Sequence, residues 1–495
     1  METEARCPSL KKRKLAAPKS HGVPPAPEAT GAPGSEPHPP AHDQQPPPGD
    51  AADRISDLAD AILGEIVSLL PTKQAVRTQI LSPRWRHIWS SAPLNLDCEG
   101  LLPADADEDV LAGLVSNIVS VHPGPGRRFC VPSCFLRDRA AAVDAWLRSP
   151  ALDSLQELEF WFKSYYRPQP LQQPPPSSTF RFPATLRVLT VGNCNLPGST
   201  VQELQFPLLK HLGLELVSIS ECTLHGLINA CPALECLLIS HGFGFRCLKI
   251  NSLTLRSVCV KNYRLCNDQL QELIVENAPC LQRLLHDDFD YGLHVSVVSA
   301  PKLETLGCLS DGFYISGQDD LSRIVFGSTV IQGLRVDKLT TVVHTVKILF
   351  VTMKTLSLDS VIGLMRCFPS LEKVYIEPYT RKENNEWRRK HWSLITCLDI
   401  RLKEIVLDPY LGTKSNINFA SLFVMKARVL ELMTFMLEPR DYNGKFLAEQ
   451  RRKLQLEKRA SRGAQFHFTT DRSVRRVSDM HHVRDLDLID PFVCC

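Results

Sequence analysis

A short phrase recurs along this sequence and constrains its fold more than any other feature. Each copy has a proline, one or two further residues, a leucine, two mostly polar residues and another apolar residue. The intervals between the prolines are 24, 25, 47, 22 and 68 residues. If the third interval spans two periods and the last spans three, the period is about 22 to 25 residues. The copies begin at Pro183, Pro207, Pro232, Pro279, Pro301 and Pro369.

A period of this length is in the range of leucine-rich repeats and predicts stacked units. Each phrase predicts a short strand with alternate leucines facing inward, and the rest of each unit returns along the opposite side. Segments 224–231 and 361–368 predict helices that end just before a proline. One unit cannot bury its own leucines, so neighbouring units stack into a continuous core and a curved parallel sheet. We therefore predict an α/β solenoid over residues 93–395.

The first 50 residues differ in composition from the rest of the chain. They hold 12 of the 36 prolines and no Phe, Tyr or Trp, which predicts a disordered leader. The basic cluster Lys11, Lys12, Arg13 and Lys14 is a candidate nuclear-import signal, and its alternative is a solvated run of charge. Apolar runs are too short to span a membrane, and 17 scattered cysteines favour a reducing compartment. We expect a protein of the nucleus, the cytoplasm or both, without a membrane partner.

Residues 56–89 predict three short helices. The first has one apolar face, is capped by Ser56 or Asp57 and ends at Pro71. The second begins after a Thr72 cap, and the third begins at Pro83, where a missing N–H costs nothing. Three helices in about 35 residues bury little surface, so their apolar residues predict a partner surface or packing onto the rest of the chain.

Several ordered motifs in this region resemble one known family. Segments 53–58, 69–73, 75–78 and 81–89 resemble the F-box of plant F-box/leucine-rich-repeat proteins, with Ala59 where that family usually has proline and Pro83 where it usually has a basic residue. Segments 397–407, 419–424, 427–431 and 459–466 are similar to the FBD domain of the same proteins. The resemblance implies a three-helix F-box at 53–92, the repeat solenoid at 93–395, an FBD cap at 396–470 and a tail at 471–495. Segments 168–178 and 379–391 are predicted insertions in the repeats.

The resemblance also implies a function. Members are substrate-recognition subunits of SCF-type cullin ubiquitin ligases and perform no catalysis themselves. The repeats would bind a target protein, still unidentified, for ubiquitination and proteasomal degradation. The alternative is a repeat scaffold that binds a partner without causing its degradation. The sequence leaves open whether a small molecule or inositol phosphate binds the repeats. The residues implied to pack against a Skp-type adaptor, which links to cullin and RING subunits, and against one another are Leu58, Ile62, Ile66, Leu69, Leu70, Pro71, Val76, Leu81 and Trp85.

Patterns that would indicate chemistry are sparse. Segment 242–244 lacks the third glycine of a dinucleotide motif, and 287–298 lacks the acidic positions of a calcium loop. Cysteine and histidine spacings do not match a zinc site, so we expect no metal or cofactor. A cysteine nucleophile is the enzymatic alternative, and it would need a lowered pKa. The net charge of +3 and the mixed charges of 445–462 do not favour nucleic acid.

Overall fold

The computed structural model describes residues 55, 57–99, 101, 107–161, 173–201, 203–262, 270–287, 292–312, 321–380, 399–472 and 474–493. The basic cluster Lys11–Lys14, residues 168–172 and 381–391 of the predicted insertions and residues 288–291 of the 287–298 segment lie outside these residues. The chain divides into two units, 1–57 and 58–495. All elements below belong to the second unit. None of the helices in the described part of the chain has both the length and the apolar content to span a bilayer.

Strands recur between Leu94 and Thr469 of this unit. The strands of the described residues are β1 Leu94–Asp97, β2 Gly126–Pro132, β3 Glu157–Trp161, β4 Val188–Leu196, β5 His211–Ile219, β6 Cys236–Ser240, β7 Cys247–Asn251, β8 Ser257–Lys261, β9 Glu272–Asn277, β10 Arg283–His286, β11 His294–Val297, β12 Thr305–Ser310, β13 Arg323–Phe326, β14 Thr329–Gln332, β15 Arg335–Lys338, β16 Ile348–Met353, β17 Lys373–Pro378, β18 Glu404–Leu407, β19 Leu432–Met436 and β20 Gln465–Thr469.

Fourteen of these strands form one sheet, the main sheet. Its order is β1-β2-β3-β4-β5-β6-β8-β10-β12-β16-β17-β18-β19-β20, and every pair in it is parallel. The second apolar residue of each phrase aligns with the same residue of the next strand, so a ladder of buried side chains crosses the sheet. This confirms the predicted strands and their inward leucines. The ladder includes Leu189, Leu212, Leu237, Val258, Leu284, Leu306, Leu349 and Val374.

Helices cover one face of the main sheet. Helices α8 and α9 occupy the predicted positions, and each begins at a serine whose hydroxyl accepts a backbone N–H. The principal core lies between the helices and the sheet. The helices of the described residues are α1 Asp60–Leu69, α2 Thr72–Arg77, α3 Pro83–Ser91, α4 Glu108–Val121, α5 Cys134–Asp138, α6 Ala140–Leu147, α7 Gly198–Val201, α8 Glu221–Asn229, α9 Leu358–Cys367, α10 Lys414–Lys426 and α11 Gly444–Lys453.

A second sheet replaces helices in the middle of the solenoid. Its order is β15-β14-β13-β11-β9-β7, and it lies on the helix side of the main sheet, because Leu248, Leu273, Val295 and Ile324 join the principal core. These residues alternate with exposed or half-buried ones along their strands, which is the pattern of a sheet with one buried face.

The repeat count over 301–369 needs correction. Strand β12 pairs directly with β16, and β16 pairs with β17. The 68-residue interval therefore spans two repeats, the first of them enlarged by β13, β14 and β15, and the three periods expected from its length are wrong. The 47-residue interval does hold two periods, because β6, β8 and β10 are successive neighbours.

Residues 399–470 continue the main sheet. Strand β18 is followed by α10 and β19, and all three elements have buried residues. The segment of mixed charge at 445–462 is not one continuous helix, because α11 ends at Lys453 and a 3₁₀ turn follows at Leu456–Lys458. Parallel pairing joins β17 to β18 and so on to β20 without a break.

Candidate functional site

Helix α1 divides its apolar residues between two sides. Leu63 and Val67 are almost fully buried, whereas Ile62, Ile66 and Leu69 are 50%, 42% and 66% exposed. The helix begins at Asp60 after Ala59, which makes no side-chain cap, so the predicted cap at Ser56 or Asp57 is wrong. Branched apolar residues lie on both sides of α1. Only one side of a helix can face the core of this three-helix segment, so the other side is exposed.

The exposed side of α1 continues into the next two turns. Pro71 is exposed, and Val76, Ile80 and Leu81 are 37%, 82% and 66% exposed. Together, Ile62, Ile66, Leu69, Pro71, Val76, Ile80 and Leu81 are called the N-terminal apolar surface. Ile80 was not among the predicted contact residues. The sequence signal that could have identified it is the adjacent apolar pair Ile80-Leu81, just before α3 starts at Pro83. Pro83 is the first residue of α3, as predicted, and Ser82 occupies the N-cap position without a side-chain capping hydrogen bond.

The remaining predicted contact residues have an internal role. Leu58, Leu70 and Trp85 are half-buried and pack against a small core made by α1, α2, α3 and the residue after α3. The predicted set therefore splits into six exposed residues and three that support them. The residues of the small core are Leu63, Val67, Ala75, Ile88 and Ala92.

Polar contacts fix the three helices to one another and to the first strand. Arg84 Nε donates to Asp60 Oδ1 at 2.7 Å, which joins α3 to α1. The Thr72 hydroxyl donates to Asn95 O at 2.5 Å and accepts from Asp97 N at 2.8 Å. Thr72 therefore links α2 to β1 and does not cap α2, whose N-cap position is Pro71. The three helices are therefore packed onto the rest of the chain, as their small buried surface requires.

The opposite face of the main sheet is apolar as well, and this was not expected. Within the described residues no α-helix contributes to the cluster on this face. Instead, residues 474–493 cover it with Val477, Met480, Val483, Leu486 and Phe492, all buried. This sheet surface is called the helix-free face, and residues 474–493 the covering segment. The sheet residues of the helix-free face are Val188, Cys236, Leu238, Cys259, Leu285, Cys308, Phe350, Tyr375, Val406 and Met436.

One cluster beneath the covering segment has side chains of the types that bind transition metals. His211 Nε2 lies 2.5 Å from Asp487 Oδ2, and the Cys236 thiol donates to Asp487 Oδ1 at 3.1 Å. The three ligand atoms lie within 4.8 Å of one another. Direct hydrogen bonds already join the three groups. The cluster thus fastens the covering segment to β5 and β6.

Asp487 makes this attachment dependent on pH. The hydrogen bond with His211 lowers the pKa of Asp487 from its ordinary 3.8 to about 2, with Cys236 and Arg283 acting in the same direction. A carboxylate with a lowered pKa stabilises the folded state above pH 3.8, and this contribution is lost as the pH falls toward 2. We expect Asp487→Asn to lower the melting temperature at pH 6 and to lower it progressively less between pH 4 and pH 2. An equal difference at pH 6 and pH 2 would contradict this.

Five cysteines of the described residues have a pKa unsuited to an activated nucleophile. Burial raises the pKa of Cys194 and of Cys231 to about 12 and that of Cys367 to about 11. It also raises the pKa of Cys236 and of Cys247. A nucleophilic thiol needs the opposite shift. These five thiols are therefore protonated at neutral pH.

Two protein-family models match separate parts of the chain. A model of the F-box domain matches residues 55–97, which include the N-terminal apolar surface. A model described as the LRR repeats of FBD-associated F-box protein At5g56370 matches residues 143–376, from α6 to β17.

Individual relatives are similar over longer stretches. The FBD-associated F-box protein At5g60610 of Arabidopsis thaliana is 26% identical over 407 residues, which cover 77% of this chain and 98% of the relative. The F-box/FBD/LRR-repeat protein At1g13570 of the same plant is 26% identical over 298 residues, 56% of this chain and 67% of that protein. The FBD-associated F-box protein At5g56370 is 33% identical over 196 residues, 37% of this chain and 42% of that protein.

Proposed function

Because the chain belongs to the plant F-box/FBD/LRR proteins, we propose that it is the substrate-recognition subunit of an SCF-type cullin ubiquitin ligase. In this proposal the F-box binds a Skp-type adaptor, the adaptor connects to the cullin and RING subunits, and the leucine-rich repeats bind the target. The observation that carries the proposal is the N-terminal apolar surface, which lies within the residues that match the F-box model.

The surface supports an adaptor contact for a physical reason. The small core beneath it is already filled by residues such as Leu63 and Ile88, so its exposed residues are not needed to close that core. Seven exposed apolar side chains between Ile62 and Leu81, on a segment of three short helices, indicate a protein partner. The hydrogen bonds of Thr72 and Arg84 hold the three helices in place before any partner binds, which lowers the entropy cost of association.

The two departures from the usual F-box pattern are compatible with this role. Ala59 has an extended backbone conformation (φ −63°, ψ 146°) and precedes α1, so the proline usual at this position is not needed to start the helix. Pro83 occupies the first residue of α3, where its missing N–H leaves no intrahelical hydrogen bond unmade.

The proposed activity is a matter of proximity. The chain would hold a target beside a ubiquitin-charged conjugating enzyme and thereby raise the effective concentration of the target's lysines. The adaptor and the target would bind to separate parts of the chain: the adaptor to α1–α3 and the target to the repeats. This division supports a non-catalytic role, as does the raised pKa of the buried thiols.

Finer assignments of domains and location belong to the same proposal. Residues 53–92 are the F-box, residues 93–395 the repeats and residues 396–470 the FBD domain. The FBD domain closes the solenoid by adding β18, β19 and β20 to the end of the main sheet. The basic cluster Lys11–Lys14 is a nuclear-import signal.

Co-expression with a Skp-type adaptor tests the proposed function. We expect the chain and the adaptor to co-elute in a 1:1 complex during size-exclusion chromatography. A tagged leucine-rich-repeat protein without an F-box is the control and should elute alone. If the chain also elutes alone, the proposal is contradicted.

A second experiment separates degradation from simple binding. Proximity labelling with the chain as bait, with and without proteasome inhibition, should identify proteins that accumulate only under inhibition. The half-life of such a protein should lengthen when residues 53–92 are deleted. Partners whose abundance and half-life do not respond would favour the non-degradative scaffold.

A further inference from the structure

We propose that the covering segment is an exchangeable internal ligand of the helix-free face, and that the target binds this face through a segment of similar chemistry. The target class is a protein with an exposed segment that has an apolar residue at every third position and a basic residue among them. This inference rests on the proposed function, because it names the surface and the partner class for target recognition.

The spacing of the buried residues defines the first part of the recognition pattern. Val477, Met480, Val483 and Leu486 lie three residues apart and are at most 2% exposed. Two 3₁₀ turns, Val477–Asp479 and Val483–Asp487, include three of these four positions. Residues three apart lie on the same side of a 3₁₀ turn, so the row of apolar side chains faces the sheet. The pattern differs from that of an added strand, whose inward residues alternate.

Phe492 adds a separate anchor. Its ring centroid lies 4.9 Å from that of Phe350 and 5.4 Å from that of Tyr375. A Cβ added at Gly307 would come within 2.8 Å of Phe492 Cζ, so the absence of a side chain at Gly307 is what leaves room for the ring. The helix-free face therefore has a site whose shape fits an aromatic side chain. Such sites are typical of binding surfaces in which a few buried residues supply most of the affinity.

Charges on the face define the second part of the pattern. Glu159, only 1% exposed, faces His482 and Arg484, and Arg484 also pairs with Glu157. At the other end Lys373 Nζ lies 3.0 Å from Asp490 Oδ2. A segment that replaces the covering segment should therefore place a basic side chain toward β3 and a carboxylate toward β17.

One buried lysine binds the backbone of the covering segment. Lys261 is 3% exposed, and its Nζ donates to Met480 O at 2.6 Å. Because this contact uses a carbonyl, it is available to any segment regardless of its side chains. Lys261 therefore contributes to peptide affinity without narrowing sequence preference.

The attachment of the covering segment permits exchange. Its two ends meet, since Arg475 N donates to Phe492 O at 2.8 Å and Val474 forms a bridge with Val493. Within the described residues no strand of the main sheet pairs with it. Exposed Asp471 and Arg472 link it to β20. The segment can therefore leave as one closed loop while every pair of the main sheet stays intact.

A peptide exchange experiment tests the inference. A protease site inserted after Arg472 of the full chain allows the covering segment to be cut after folding. A fluorescent peptide of residues 474–493 should then bind the cut protein saturably, as measured by fluorescence anisotropy. It should bind the uncut chain at least about thirtyfold more weakly, since the tethered copy competes at an effective concentration near millimolar.

Variant peptides test the recognition pattern. The double change Met480→Asp and Leu486→Asp should weaken binding at least about a hundredfold, because two charges would face an apolar surface. Arg484→Glu should weaken it about tenfold by facing two carboxylates. The matched control is Ile489→Asp, which should bind like the original peptide, because Ile489 is 88% exposed.

Two outcomes would overturn the inference. The first is that the original peptide binds neither the cut protein nor an uncut chain whose own covering segment carries Met480→Asp and Leu486→Asp. The other is a target whose capture is unaffected by the original peptide. Adaptor capture by the same preparations is the independent readout: its loss would contradict the proposed function and leave the peptide result standing.

Discussion

Leu69→Asp should abolish capture of the Skp-type adaptor while the fold stays intact. Leu69 lies at the end of α1 and is 66% exposed, so a carboxylate there is solvated in the free protein. In the proposed complex the same position becomes desolvated among Ile66, Pro71 and Val76. An unpaired buried charge costs about 3 kcal/mol or more, which is roughly a hundredfold or greater loss in affinity.

The chain offers a matched control for this experiment. Leu253 is 69% exposed and lies between β7 and β8, far along the sequence from the N-terminal apolar surface. We expect Leu253→Asp to bind the adaptor as the original chain does. Both variants should keep the original melting temperature, since surface changes of this kind alter stability by about 0.5 kcal/mol or less. Equal adaptor retention by the Leu69 and Leu253 variants would contradict the proposed surface.

The second large effect is expected from Phe435→Ala. Phe435 on β19 is fully buried, stacks on Phe468 with ring centroids 4.6 Å apart and meets Tyr410 edge-on at 4.7 Å. Truncating such a residue leaves a cavity and should lower the free energy of unfolding by about 3–5 kcal/mol. Urea unfolding measures this change, and hydrogen exchange should accelerate first in β18, β19 and β20.

Val429→Ala is the control for this prediction. Val429 is 47% exposed in the turn before β19, so its truncation removes little buried surface. We expect its effect to be below about 0.5 kcal/mol. If Phe435→Ala lowers the free energy of unfolding by less than about 1 kcal/mol, residues 399–470 do not share the core of the repeats.

The repeats could be predicted because their signal is strong and local. A leucine must recur once per unit at the same position for neighbouring strands to stack, and the proline before it ends the preceding segment. The phrases at Pro232 and Pro279 therefore mark β6 and β10. The enlarged repeat after Pro301 could not be counted from length alone, because an inserted hairpin adds residues without adding a strand to the main sheet.

The sequences of the strands do indicate that the helix-free face is apolar, but the repeat pattern makes this signal hard to recognise. A strand with one solvated face alternates apolar and polar residues. In β6 both Leu237 and Leu238 are apolar and buried, and in β16 both Leu349 and Phe350 are. Such strands indicate that both faces are covered. What covers the second face could not be read from them, because the covering segment follows no regular helix or strand period.

The covering segment has a further consequence for how the chain folds. Pairing of each strand with its neighbours closes loops of a few tens of residues, whereas the contact of His211 with Asp487 joins residues 276 positions apart. Contacts between distant residues form slowly, because the entropy of closing a long loop must be overcome first. We expect the solenoid to assemble by nearest-neighbour steps and the covering segment to dock last. A refolding chain should therefore pass through a state in which the apolar helix-free face is accessible to chaperones.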